Sequence, residues 1–230
     1  MFADMFRGMA FSFSPSLVIF DCDGVLVDTE TVSNRLLVRV LAEDGFHVSY
    51  EECRRLFVGR TMQAVMEHVE AAIGRSLGAH WPAYIREETL KAFGEGIEPV
   101  AGAEEALLAL RAKGIPFCVA SSGKFEKMRF TLGATGLLPL VEDVLFSAEQ
   151  VARGKPAPDL FLHAAKEMCH APEACLVIED SVPGVQAAVA AGMPVVGYAG
   201  DPHTDAAGLK SEGAHVIRDM SALLDLLAGN

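Results

Sequence analysis

At 230 residues, 51% hydrophobic and 22% charged, the chain is long and apolar enough to bury a full core, which excludes intrinsic disorder and small disulfide-stapled scaffolds. Its 31 acidic residues against 19 basic ones, net −12, leave little counter-charge for a phosphate backbone or an anionic bilayer, so neither nucleic acid nor membrane is an expected partner. The five cysteines are odd in number, lie mostly in apolar runs and show no CxxC pairing, a usage that fits a reducing cytoplasm.

Residues 1–14 form an N-terminal tail rich in Phe and Met. Asp4 and Arg7 interrupt it, so it has neither the length of a membrane span nor the pattern of a secretory signal. Its apolar side chains are left either to pack on the core or to meet another subunit, and a monomer or weak homo-oligomer is expected. From Leu17 onward, short apolar runs bounded by turn residues alternate with stretches of helical period. Strands are predicted at Leu17 to Asp21, Pro116 to Ser121, Val144 to Phe146, Cys175 to Glu179, Pro194 to Tyr198 and Ala214 to Ile217. Between them lie helices such as Ala103 to Lys113, stopped by Gly114.

One interval, Thr29 to Phe93, holds no convincing strand. Leu36, Leu37, Val40 and Leu41 form one helical stripe, and Met62, Val65, Met66 and Val69 another. Ser49-Tyr50-Glu51-Glu52 has capping-box spacing ahead of a further short helix. The reading is an α/β protein: a doubly wound parallel sheet core over residues 15–29 and 97–230, with a small α-helical domain inserted at residues 30–96. The insertion is entered through Asp28-Thr29-Glu30 and left through Gly94 to Pro99, whose glycines are expected to serve as a hinge.

In such a sheet, ligands bind outside the carboxyl ends of the strands. Four of those ends carry chemistry: Asp21-Cys22-Asp23-Gly24, Ser121-Ser122-Gly123-Lys124, Gly154-Lys155-Pro156 and Glu179-Asp180-Ser181. Side by side, Asp21, Asp23, Glu179 and Asp180 would repel one another unless a cation compensates, and hard oxygen donors suit Mg²⁺. Lys155, the Ser121 hydroxyl and the backbone N–H groups near Ser122 and Gly123 suit a dianionic phosphoryl group. A metal, an anion clamp and a carboxylate pair together point to phosphoryl transfer.

These segments closely resemble the four motifs of the haloacid dehalogenase-like (HAD) phosphatases: Phe20-Asp21-Cys22-Asp23-Gly24-Val25-Leu26-Val27-Asp28, Ser121, Lys155 in Gly-Lys-Pro-Ala-Pro-Asp, and Ile178-Glu179-Asp180-Ser181 with Gly184. Order and spacing agree from about Leu17 to Tyr198, and the insertion resembles the C1-type cap of the phosphatase and β-phosphoglucomutase branch. The resemblance implies that Asp21 is the nucleophile and forms an aspartyl-phosphate, and that Asp23 first protonates the leaving alkoxide and then deprotonates water. It implies Mg²⁺ held by Asp21, the Asp23 carbonyl, Glu179 and Asp180, with Ser121 and Lys155 neutralising the transferring oxygens. Substrate binding is expected at Cys22, Asp23, Ser121, Ser122, Gly123 and Lys155, with Arg60 from the cap.

Several residues have simpler readings. Asp28 caps or fixes the hinge, Ser181 is a helix N-cap ahead of Pro183, and Met62 and Met66 belong to the cap core. His47, His68 and His80 read as surface or structural. Arg60 is left open between a specificity residue and an ordinary surface arginine, while Arg54 and Arg55 are explained as a solvated face.

Asp23 argues against a dehalogenase, because a departing halide needs no proton. No lysine lies between Glu30 and Lys91, against a phosphonate-cleaving Schiff-base enzyme. Sugar phosphomutases of this branch usually carry a His twelve residues after the nucleophile, where this chain has Ser33. A catalytically dead sensor of phosphometabolites would have lost the nucleophile, the acid/base or the lysine, and all three are present. The expected activity is Mg²⁺-dependent hydrolysis of a small phosphorylated metabolite, such as a sugar phosphate, a phosphosugar acid or phosphoglycolate, with sugar phosphomutase as the alternative.

Overall fold

The computed structural model describes residues 14–58 and 60–228; the apolar N-terminal tail lies outside the described residues, apart from Ser14. The chain divides into two compact units, one from residues 1–27 and 99–230 and the other Asp28–Glu98. The first opens with β1 (Leu17–Phe20). The second contains α1 (Thr29–Glu43), α2 (Tyr50–Phe57), α3 (Met62–Ile73) and α4 (Trp81–Gly96). The first unit then resumes with α5 (Ala103–Ala112), β2 (Phe117–Ser121), α6 (Phe125–Ala134), α7 (Leu138–Val141), β3 (Leu145–Ser147) and α8 (Asp159–Glu167). It closes with β4 (Cys175–Glu179), α9 (Val182–Ala190), β5 (Val195–Tyr198), α10 (Ala206–Ser211), β6 (His215–Ile217) and α11 (Ser221–Ala228).

All strand pairs are parallel, and the order β3-β2-β1-β4-β5-β6 makes a six-stranded doubly wound sheet. The chain builds leftward from β1 to β3, then returns across to β4 and builds rightward. Because βαβ crossovers are right-handed, the reversal puts the helices of the two halves on opposite faces. Leu160 and Phe161 of α8, Val185 and Ala188 of α9 and Leu209 of α10 share one core with Leu17 and Ile19 of β1. Every residue of β1, β2 and β4 is buried, which is why these strands read as continuous apolar runs without alternation. The carboxyl ends of β1 and β4, on either side of the reversal, form the crevice that this topology leaves for a ligand.

The helical unit has its own core, in which Leu36, Leu37, Val40 and Leu41 meet Cys53, Phe57, Val65, Met66, Val69, Trp81 and Ile85. Met66 lies in that core and Met62 packs against it, as expected for structural methionines. The Ser49 capping box is formed in both directions, with Glu52 N–H donating to the Ser49 hydroxyl at 3.2 Å and Ser49 N–H to the Glu52 carboxylate at 3.0 Å. His68 stands edge-on to Phe46 and Phe57, a structural position. The glycines of the expected hinge lie within α4, which runs unbroken through Gly94 to Gly96 and has Ile97 as its C-cap. Its N–H to C=O ladder outweighs the low helix propensity of two glycines in the last turn.

Ile19 is wholly buried in β1, one of the two innermost strands. Ile19→Ala is expected to destabilise the sheet unit by about 2–5 kcal/mol, measured by chemical denaturation followed by tryptophan-independent far-UV dichroism.

Candidate active site

Asp21 is the first residue beyond β1, and its N–H still donates to the Ile178 carbonyl of β4 at 2.9 Å. That bond holds the carboxylate at the strand mouth, 7% exposed. The chain then curls sharply: the N–H groups of Leu26 and Val27 donate to the Cys22 carbonyl at 2.9 and 3.0 Å, and Gly24 N–H donates to the Val27 carbonyl at 2.8 Å. Gly24 sits at φ +78°, and a Cβ there would lie 2.0 Å from a carboxylate oxygen of Asp180. The glycine is what lets the β1 and β4 loops close on each other. Cys22 is fully buried, and burial pushes its thiol well above the ordinary range, so only its main chain is available to a ligand.

Lys155 reaches the same point from the loop before α8. Its ammonium donates to Asp21 Oδ1 at 2.5 Å, to Glu179 Oε1 at 2.6 Å and to the Ala120 carbonyl at 3.2 Å, with Nζ 4.8 Å above the Phe161 ring centre. The lysine side chain is 5% exposed and that of Glu179 1%. Burial works against the ammonium, but Asp21 and Glu179 outweigh it and hold the Lys155 pKa above its ordinary value. Burial pushes the Asp21 carboxyl up to about 7, aided by repulsion from Glu179 and Asp23 and opposed by Lys155.

Glu179 spends its second oxygen on Ser181, accepting from its N–H at 2.8 Å and its hydroxyl at 2.9 Å. Ser181 is the N-cap of α9, accepting from Gly184 N–H at 3.1 Å. A Cβ on Gly184 would fall 1.8 Å from Glu179 Oε1, so this glycine makes room for the carboxylate. Asp28 caps α1, accepting from Thr31 N–H at 3.0 Å.

Ser121, the last residue of β2 and 1% exposed, accepts from Gly123 N–H at 3.0 Å. Ser122 is exposed. Two groups here escaped the sequence reading. Ser147, ending β3, donates its hydroxyl to the Gly123 carbonyl at 2.7 Å and so pins the turn; its place at a strand end was the available signal. Lys127, in the first turn of α6, donates to Asp23 Oδ2 at 2.7 Å across 104 positions of sequence. A helix that follows a sheet strand starts at the strand's carboxyl end, so its first-turn residues stand beside the strand-end residues. Arg60 belongs to the helical unit, where its side chain is exposed and its N–H donates to the Phe57 carbonyl at 3.0 Å.

The sheet unit therefore brings Asp21, Asp23, Ser121, Lys155, Glu179 and Asp180 to one crevice. Among the described residues no three acidic, imidazole or thiol groups converge as a ready metal centre, because Asp21 and Glu179 are turned to the lysine. The donors that line the crevice are nevertheless all hard oxygens, and Asp23 Oδ1 is shielded with no partner. That chemistry fits a hard divalent cation and no softer metal.

A family model for haloacid dehalogenase-like hydrolases matches residues 15–192, and the chain belongs to that family. It is 36% identical over 187 residues to the 6-phosphogluconate phosphatase of Escherichia coli (strain K12), spanning 81% of this chain and 83% of that one. A HAD family hydrolase from Deinococcus radiodurans R1, solved with bound phosphate and sodium, superposes with a TM-score of 0.84 at 34% identity, 96% of each chain being covered. A putative β-phosphoglucomutase from Thermotoga maritima superposes with a TM-score of 0.80 at 28% identity, over 92% of this chain and 98% of that one. The chain is a phosphoric monoester hydrolase of this family. Among the described residues no helix is long and apolar enough to cross a membrane.

Lys155→Met leaves two buried carboxylates facing each other without a counter-ion. The variant is expected to lose about 3–5 kcal/mol of stability, measured by urea unfolding, with Lys155→Met/Glu179→Gln recovering part of the loss.

Proposed function

We propose that the protein is a Mg²⁺-dependent phosphatase of small phosphorylated metabolites, sugar phosphates and phosphosugar acids foremost, working through an aspartyl-phosphate on Asp21. The observation that carries this reading is the pairing of Asp21 Oδ1 with a buried Lys155, which leaves Oδ2 to attack phosphorus while Asp23 stands two residues away. Attack forms the Asp21 O–P bond as the ester P–O bond breaks, and Asp23 passes a proton to the departing alkoxide. Asp23 then takes a proton from water as the water oxygen bonds phosphorus and the Asp21 O–P bond breaks. The Ser121 hydroxyl, held by the Gly123 N–H, and the N–H of Ser122 bind the phosphoryl oxygens, with Lys155 beside them.

Asp21, Asp180 and the Asp23 carbonyl would hold Mg²⁺, which would supply neutralisation of phosphoryl charge, while Glu179, whose two oxygens are taken by Lys155 and Ser181, backs the site from behind. A cation there would also oppose the burial, and the lesser repulsion from Glu179 and Asp23, that raise the Asp21 carboxyl, favouring the ionised form. The 6-phosphogluconate phosphatase relative supports a phosphosugar acid among the substrates, and the phosphate in the Deinococcus relative supports phosphate binding.

Asp21→Asn is expected to abolish turnover in a hydrolysis screen across phosphorylated metabolites, and chelation to stop the native enzyme until Mg²⁺ is restored. A variant that keeps most of its rate removes Asp21 from the nucleophile role, and full activity after rigorous chelation removes the metal.

The Thermotoga relative favours a second reading, sugar phosphomutase. Against it, Ser33 stands where that branch usually has His, and its hydroxyl is spent on the Thr29 carbonyl of its own helix at 2.7 Å. A serine so engaged offers no imidazole for timing the proton transfers that a mutase requires. With β-glucose 1-phosphate and catalytic glucose 1,6-bisphosphate, the expectation is net phosphate release from any turnover. Efficient isomerisation with negligible free phosphate would establish the mutase instead.

A further inference from the structure

We infer that Lys127 is a positioning residue for Asp23, fixing which carboxylate oxygen transfers the proton; the inference rests on the phosphatase reading of Asp23 given above. The two oxygens of Asp23 are in different situations. Oδ2 accepts from the Lys127 ammonium at 2.7 Å, whereas Oδ1 is shielded and has no partner. An oxygen engaged by an ammonium is a poor carrier for a proton bound for a leaving group, so the pairing assigns Oδ1 to the reaction.

Lys127 stands at the right place for this task. A Cβ built on Gly123 would have Ser121 Oγ at 3.3 Å, Lys127 Cδ at 3.7 Å and Asp23 Oδ2 at 3.8 Å around it. The lysine stem, the acid/base and the phosphoryl-binding hydroxyl therefore converge on one turn, which the bare glycine leaves open. The pair is also a poor stabilising device. Its side chains are 33% and 28% exposed, and ion pairs that open to solvent contribute little to folding. What it supplies is orientation: without it, the Asp23 carboxylate is free to rotate about its side-chain torsions, and proton transfer loses its aligned geometry.

This role predicts a dependence on the leaving group. A nitrophenolate leaves without a proton, whereas a phenolate of higher basicity needs one. Lys127→Met and Lys127→Gln are tested against p-nitrophenyl phosphate and phenyl phosphate with Mg²⁺ present, under single turnover with enzyme in excess, following release of the phenol. The ratio of the nitrophenyl rate to the phenyl rate is expected to rise by about 10²-fold over the native enzyme, the share general acid catalysis supplies. Half-saturating concentrations should stay the same, and Lys127→Arg should restore most of the native ratio.

Equal losses on both esters in the Met and Gln variants, or a rise in half-saturating concentration with the ratio unchanged, would make Lys127 an anion-binding or structural residue and overturn the inference. Native rates in both variants would overturn it as well. If the native enzyme hydrolyses neither these esters nor any member of the phosphorylated-metabolite screen, the phosphatase reading itself fails and this inference falls with it, an outcome distinct from all the others.

Discussion

The site depends on one buried ammonium. Lys155 is withdrawn from water between two carboxylates and a main-chain carbonyl, and each of those partners belongs to a different strand end. Taking three charges out of solvent is unfavourable, and the arrangement persists because nearly every remaining polar atom is engaged. Glu179 accepts twice from Ser181, and Ser181 in turn caps α9. Two glycines make this closeness possible, Gly24 beneath Asp180 and Gly184 beneath Glu179, where a Cβ would overlap the acid. The consequence is that Asp21 presents one oxygen with its other oxygen and its backbone N–H already fixed, the preorganisation that the proposed nucleophile and phosphoryl counter-charge would need before substrate arrives.

The sheet explains why these groups meet at all. The reversal between β1 and β4 opens the crevice, and β2 on the other flank of β1 delivers Ser121 to it. β3 is one strand farther out, yet its Ser147 still bears on the crevice through the Gly123 carbonyl. Strand ends thus contribute in graded fashion: Asp21 and Glu179 bond the lysine directly, Ser121 accepts from the Gly123 N–H, and Ser147 holds the same turn through the Gly123 carbonyl. The same topology leaves α6 with its first turn over the site, which is how Lys127 reaches Asp23.

Much of this was legible in the amino-acid order. Buried strands write themselves as apolar runs, which made β1 to β5 legible, and Cys175–Glu179 agrees at both ends; β6, with His215 exposed, was marked only by its short apolar run after Gly213. Edges elsewhere moved by a residue; Pro116 and Pro194 fall just outside β2 and β5, although their carbonyls still accept from Val18 and Val177 N–H of the neighbouring strands at 3.0 Å. Ser49, Ser181 and Asp28 were readable as caps since capping is a local interaction between neighbours in sequence. The Asp23–Lys127 pair was not legible, because a lone lysine in an amphipathic helix reads as a solvated face until the helix is placed. Nor was the helical state of Gly94 and Gly96, where the continuing ladder of α4 overrides single-residue propensity. The task of Glu179 was only half visible: composition groups it with the other acids, and the geometry gives it the lysine and the α9 cap.

The most direct test is to trap the covalent enzyme. Native protein mixed with an excess of a hydrolysed phosphate ester and Mg²⁺, quenched in acid within its turnover time and digested, is predicted to carry the phosphoryl group on the peptide containing Asp21. The adduct should be labile to hydroxylamine, as an acyl phosphate is, and absent from Asp21→Asn. A phosphoryl group mapped to any other residue, or active turnover with no trapped adduct at any quench time and retained hydrolysis in Asp21→Asn, would contradict the account.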